Sequence, residues 1–386
     1  MSSIYNGIKM NLSLTNIIAI LFFFQATLFS VYLITMKKHR NLSNKLLALF
    51  LFVMGANIFE GLLYKSFYMK HPEFAFYINN TASLIAPVLY LYVRTLAYKI
   101  TKLKWSDLIH LLMYTVLVVW SFFDYHLLPS NEQLTILTTG VGLNELLMKI
   151  IVAMMFSQFL IYLILTIRLI IRYRKLVREN YSEDSKVNSS WLSQIVVVFL
   201  IIALLAVIEN VIESNFSSET YENTLLIIFF GYLVFINWII FKALKVPQLF
   251  QGIDKDVELA KEMDQGTLTE ADKRILDKLN EYMLNEKPYL TSTLTLRQLA
   301  KNIELSSREL SILINNHLNQ NFFDYVNTFR IENTKQKLID FAYKDHTVLE
   351  LMYDSGFNSK SSFNTAFRKV TGLVPTAYRH KYLITK

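Results

Sequence analysis

The chain has 386 residues, of which 53% are hydrophobic, 18% are charged and none is cysteine. Without cysteine there is no disulfide, thiolate metal site or cysteine nucleophile, and so large an apolar excess points to membrane spans rather than an ordinary soluble protein. The net charge of +8 suits a nucleic-acid partner or basic cytoplasmic loops, so its placement along the chain matters more than its size.

Taken in chain order, seven apolar windows fall at about 12–36, 44–66, 74–98, 107–126, 143–171, 191–213 and 223–244. Each is long enough to cross a bilayer, which takes about 20 apolar residues. The first is too long for a signal-peptide core and lacks a small-residue cleavage site, so it reads as a true span. Pro87 predicts a kink in the third, because it removes a backbone donor and crowds the preceding turn.

Basic residues alternate with the windows. Lys37, Lys38, Arg40 and Lys45 follow the first, and Arg94, Lys99, Lys102 and Lys104 end or follow the third. Arg172, Arg174, Lys175, Arg178 and Lys186 follow the fifth. The intervening loops hold Lys65 and Lys70, then no Lys or Arg between Asp124 and Asn144, and none between Glu213 and Asn223. Positive loops stay in the cytoplasm. The expectation is a multi-pass protein of the cytoplasmic membrane, N-terminus outside, with the chain beyond Lys242 and Lys245 inside. That topology requires an odd number of spans, which agrees with seven.

The fifth window runs on as LTIRLIIRYRKLVREN, where Arg168, Arg172 and Lys175 recur at helical spacing. One reading is a basic helix end reaching anionic lipid headgroups. The other is a rigid rod that carries movement toward the cytoplasmic side. Ionisable residues inside spans are costly and by default suggest function. Glu60 lies near the outer end of the second window, Glu145 and Lys149 of the fifth, and Glu209 and Glu213 of the sixth. They read either as interfacial residues, with Lys149 as a bridge, or as an outward polar pocket for a small-molecule or proton signal, with Glu209 central to it.

Composition changes near Lys245. Residues 1–245 form the expected membrane domain, 246–269 an acidic linker, and 270–386 a polar helical domain. Within the last, TLRQLAKNIELSSRELSILINNHL reads as helix, turn, helix over about 295–316. Thr295 and Ser306 are placed to cap its two helices. Leu296, Leu299, Ala300, Leu310, Leu313 and Ile314 face inward, while Arg308, Ser311, Ile312 and Asn315 face outward. TVLELMYDSGFNSKSSFNTAFRKVTG repeats the plan over about 347–370. There Thr347 and Ser359 cap, Gly356 permits the tight turn, and Phe363 and Phe367 pack inward. Lys360, Ser361, Asn364, Thr365, Arg368 and Lys369 remain outside, a set suited to a major groove and its phosphates. An amphipathic helix from about Asp324 to Asp340 joins the units. Its length of about 26 Å is of the order needed to place two reading heads in neighbouring major grooves, about 34 Å apart.

TLRQLAKNIELSSRELS, NFFDYVNTFRIENTKQKL, GFNSKSSFNTAFRKVTG and VPTAYR together closely resemble the DNA-binding domain of AraC-type transcription regulators, over about 270–381. The resemblance implies a seven-helix, bipartite domain on double-stranded DNA. Arg308, Ser311 and Asn315 would read one groove, and Lys360, Ser361, Asn364 and Thr365 the next. Ile312 and Thr365 stand where many members carry arginine, Met352 where a small alanine is usual, and Asn319 where glycine is common. A domain of this type behind several spans looks like the membrane-bound branch of that family. The whole therefore reads as an all-α, one-component membrane regulator that senses a small-molecule or physical signal and acts as a homodimer on promoter DNA. The alternative is a transporter or membrane enzyme with a DNA-binding tail. Against it stand the lack of an inverted repeat, of a catalytic constellation and of histidines at metal-ligand spacing. No cofactor is expected.

Overall fold

The computed structural model of the chain describes residues 13–35, 41–63, 67–98, 100–142, 144–182, 189–215, 217–245 and 269–383. The expected linker, 246–269, lies outside the described residues except for its last position. Every described element is helical apart from one isolated antiparallel bridge, Tyr181 to Thr295. The chain divides into two compact units. One is Met1–Ile170 with Ser190–Phe250, and the other is Ile171–Ser189 with Gln251–Lys386.

The first unit is built from apolar helices. α1 (Leu14–Thr35) and α2 (Leu42–Leu63) contain 22 residues each, or about 33 Å, and are apolar around most of their circumference. A helix of that kind belongs in a membrane or deep in a core. Small residues let the pair approach closely. A Cβ added at Gly55 would lie 3.1 Å from the Ala26 Cβ and 3.2 Å from the Phe23 ring. The Ser30 hydroxyl lies 2.7 Å from the carbonyl oxygen of Ala26 and 2.9 Å from that of Ala48, so it bonds along α1 and across to α2. Close packing of small residues with an interhelical hydrogen bond holds such apolar helices together.

The third apolar stretch, Pro72–Ala97, is interrupted as Pro87 predicts. A 3-10 segment, Thr81–Leu84, precedes α3 (Ile85–Ala97). The proline ring crowds the carbonyl four residues back, at Ser83, inside that segment. The fourth stretch, Trp105–His126, contains α4 (Leu112–Ser121) between a 3-10 and a π turn. The short helix α5 (Ser130–Thr139) was not anticipated. Its Ile136 and Leu137 pack with Tyr68, Ala75 and Tyr125. The buried Gln133 amide donates to the carbonyls of Tyr125, His126 and Leu128.

α6 (Glu145–Asn180) has 36 residues, and the boundary between the two units falls within it, at Ile170. α7 (Ser189–Asn215) and α8 (Ser218–Lys245) follow. Trp191, fully buried, donates its indole N–H to the Tyr92 hydroxyl at 3.0 Å. Six helical stretches are long and apolar enough to cross a membrane; α7, the sixth window, registers only as a shorter apolar helix, Trp191–Ile201, among the described residues.

The second unit adds α9 (Glu270–Asn285), α10 (Leu296–Asn302), α11 (Ser307–His317), α12 (Phe322–Ile339), α13 (Val348–Asp354), α14 (Lys360–Thr371) and α15 (Pro375–Leu383). It has two hydrophobic cores. Leu279, Met283, Leu299, Leu310, Ile314 and Val326 centre the first; Ile331, Leu338, Leu351, Met352, Phe363 and Phe367 centre the second. Both cores draw on α12, through a buried stripe of Phe322, Val326, Arg330, Thr334 and Leu338 at intervals of four residues. Met352, larger than the alanine usual in the resemblance, is accommodated in the second core at 1% exposure.

Candidate nucleic-acid interface

Each helix-turn-helix unit starts from caps. Thr295 and Gln298 exchange bonds at the start of α10, Ser306 and Glu309 at α11, and Thr347 and Glu350 at α13. Ser359 accepts from the Ser362 N–H at the start of α14. These reciprocal pairs satisfy amide groups that a helix start otherwise leaves unpaired. Bonds from the Ser306 side chain and backbone hold the Glu309 carboxyl below the ordinary glutamate range. Bonds from the Thr347 backbone and side chain do the same for Glu350.

The turns between the helices differ. In the first unit Glu304 takes a left-handed φ of 64°. In the second, Gly356 has φ +88°, and an added Cβ would overlap the Tyr289 carbonyl oxygen and lie 2.9 Å from that of Leu290. Gly356 therefore does more than turn the chain: it lets the second helix-turn-helix unit approach the backbone of the Pro288–Leu290 turn that precedes the first. Asn319, which stands where glycine is common, has a left-handed backbone at φ 50°, a conformation asparagine tolerates.

On α11, Arg308 is exposed and Ile312 and Asn315 are half-buried, on the side away from Leu310 and Ile314. Ser311 departs from its expected outward position. It is 6% exposed, and its hydroxyl accepts from the Asn315 amide at 3.2 Å. Residues on a helix advance by about 100° each, so Ser311 sits one step from buried Leu310, on the flank of the inner face. On α14, Lys360, Ser361, Thr365 and Arg368 are exposed and Asn364 is half-buried. Lys369 is exposed too, but its ammonium lies 2.8 Å from the Asp324 carboxylate on the first turn of α12. Arg368 is thus the more available cation near the end of α14. An ion pair this exposed is worth at most about 1 kcal/mol, so a phosphate can compete for Lys369.

Three features escaped the sequence reading. Arg330, on the buried stripe of α12, is 0% exposed. Its Nε donates to Tyr289 O at 2.7 Å, one terminal nitrogen to Ser182 O at 2.8 Å and Asn327 Oδ1 at 3.3 Å, and the other to Ser182 Oγ at 3.1 Å and Thr291 O at 3.0 Å. Its guanidinium carbon lies 5.5 Å from the centre of the Phe357 ring, in the second core. Arg379 of α15 donates to the carbonyls of Tyr343 and His346, each at 2.6 Å. Tyr181 and Ser182, just past α6, join the second unit through the bridge to Thr295 and the contacts to Arg330. A charged residue at the third position of a mostly apolar stripe was the available signal for Arg330. Nothing in the residues around Ser182 marks its partner.

The expected signal residues fall into separate groups. Glu145 and Lys149 pair with each other at 2.6 Å on the exposed first turns of α6. Glu60 accepts from the Tyr68 hydroxyl at 3.3 Å. Among the described residues no ion pair links these two sets. α7 carries Glu209 and Glu213, whose side chains lie outside the described residues. Nor do the described residues group three His, Asp or Glu side chains in a way that could hold a metal.

Comparison with known proteins places residues 299–381 in the family described as "Helix-turn-helix domain". Similar curated proteins include uncharacterized HTH-type transcriptional regulators of Staphylococcus aureus strains COL and N315. Each is 30% identical over 103 residues, covering 27% of this chain and 13% of the relative. The chain therefore matches about an eighth of the length of these relatives. A solved Listeria innocua structure of unknown function is 21% identical and covers 28% of this chain and 97% of its own, with a TM-score of 0.25. The C-terminal part of the chain is a helix-turn-helix domain. Its type is that of the AraC regulators, with two such units on one connecting helix.

Proposed function

We propose that the protein is a membrane-anchored, one-component transcription regulator: its apolar helices sense a signal, and its C-terminal domain binds promoter DNA. The observation that carries this reading is the pairing of two capped helix-turn-helix units on α12, an 18-residue helix about 27 Å long. The exposed sides of α11 and α14 carry short hydrogen-bonding groups and cations. Arg308 and Asn315 serve one groove, and Lys360, Ser361, Asn364 and Thr365 the next; Arg368 and Lys369 serve phosphate. Six stretches of membrane length precede the domain and support a membrane anchor; with the 27-residue α7 as a seventh span, the basic loops put the C-terminal domain in the cytoplasm.

The fragment from Gly266 to Lys386 is expected to be soluble and to bind DNA. Replacing Arg368 with alanine weakens binding to every sequence and lowers the salt dependence by roughly one counterion. Replacing Asn364 instead costs about 1–3 kcal/mol on the preferred site alone. Anisotropy titrations across a salt series check both. A fragment with no salt-dependent affinity for any duplex contradicts the reading. Mapping bound DNA across the genome, with and without residues 270–386, would then identify the target sites.

One domain reads two adjacent grooves, so two copies confined to a membrane gain affinity on repeated sites through effective concentration. A homodimer on DNA is therefore expected. Crosslinking in native membranes that captures only monomers while regulation persists would contradict it.

A further inference from the structure

We propose that Tyr181–Ser182 is a docking element that couples α6 to the DNA-binding domain, and that Arg330 is its receptor. Docked, the element preorganises the two helix-turn-helix units. This rests on the regulator reading for its DNA readout only; the docking itself is tested without DNA.

The geometry of one guanidinium carries the argument. Arginine has five N–H donors in a planar fork. Arg330 places all five, and two of them go to Ser182. The others reach Tyr289 and Thr291, on the turn before α10, and Asn327, one turn back on α12. Phe357, against the guanidinium face, belongs to the second core. One buried cation thus touches the first helix-turn-helix half, the second half and the end of α6.

Ser182 is held from its other side as well. Its N–H donates to Leu294 O at 3.2 Å and its hydroxyl lies 2.7 Å from the same oxygen. Tyr181 pairs with Thr295, the residue that caps α10. Ser182 is 1% exposed although it lies 148 residues from Arg330 in sequence. It follows α6 directly, with only Tyr181 between, so a shift or rotation of that helix acts on the hub where the two halves meet. Preorganising a binding surface raises affinity by reducing the ordering cost of binding.

The absence of cysteine permits a clean test on the full chain in lipid nanodiscs. Residues opposed in an antiparallel bridge have Cα atoms about 4.5–5.5 Å apart, within disulfide range. Tyr181→Cys with Thr295→Cys is expected to crosslink on mild oxidation. Relative to the reduced form of the same protein, the crosslink should slow hydrogen exchange over 289–295 and 348–357. It should also tighten binding to a mixed-sequence DNA duplex several-fold, reversed by dithiothreitol. Ser182→Ala in the otherwise unchanged chain should speed exchange at the same amides and weaken the duplex. No crosslink in a chain that keeps its helical circular dichroism overturns the docking. So does a crosslink that leaves exchange unchanged. Equal or weaker duplex binding after crosslinking overturns the preorganisation. If neither form binds the duplex, the DNA-reader reading has failed, and the exchange comparison decides the docking alone.

Discussion

Arg330→Met is expected to destabilise the second unit by about 3–5 kcal/mol, the scale seen when one member of a buried charged network is removed. Methionine nearly fills the volume but returns none of the five bonds. The carbonyls of Tyr289, Thr291 and Ser182 then lose a charged donor inside a site that is closed to water, and each unpaired buried polar group costs about 1–3 kcal/mol. Against a total stability of about 5–15 kcal/mol for a domain, that is a large fraction. Arg330→Lys is expected to fall nearly as far, because one ammonium cannot span acceptors arranged around a planar fork. Denaturant unfolding of the detergent-solubilised chain measures both. A midpoint unchanged by Arg330→Met would remove the guanidinium from the centre of the fold.

Gly356→Ala comes next in size, at about 3–4 kcal/mol. Two costs combine. The backbone at φ +88° is one that side chains with a Cβ rarely adopt, which alone costs about 1–3 kcal/mol. The new methyl also overlaps backbone oxygens of Tyr289 and Leu290, and backbone cannot rotate away as a side-chain tip can. Relief requires the second helix-turn-helix unit to move off the first. The variant should therefore lose DNA affinity beyond its loss of stability. Gly372→Ala is the internal comparison: φ is +74° there, with open space around the position. It carries the backbone cost without the overlap. If the two variants unfold at the same denaturant concentration, the close approach at Gly356 contributes nothing.

Local chemistry made much of the second unit legible in advance. Thr295, Ser306, Thr347 and Ser359 each sit immediately before an apolar-periodic run, and each caps a helix in the structure. Pro87 announced the break in the third apolar stretch. The inner faces of α11 and α14 followed from spacing, because Leu310, Leu313, Ile314, Phe363 and Phe367 repeat at helical intervals and are buried. Ser311 shows the limit of that logic. A small polar residue on the flank of a face obeys whatever neighbour packs there, and periodicity does not name the neighbour. α5 went unseen because its ten residues mix polar and apolar without a dominant side. The contacts of Ser182 were illegible for a different reason: its partners lie 110 to 148 residues away, and no local pattern encodes a pairing at that range.

That separation bears on how the protein is made. Ser182 leaves the ribosome before α7 and α8, and Arg330 only after both. At about 5–20 residues per second, the separation of 148 residues imposes a delay of roughly 7–30 s between the first half of the contact and the second. The helix-turn-helix region therefore cannot take its docked form as an early, independent product of translation. A chain that stalls or is cut within α7 or α8 has the docking segment but no receptor, and a C-terminal fragment has the receptor but no docking segment. The assembled hub exists only in molecules whose intervening hydrophobic helices have already been synthesised, which makes it a built-in record that the segment between Ser182 and Arg330 is present.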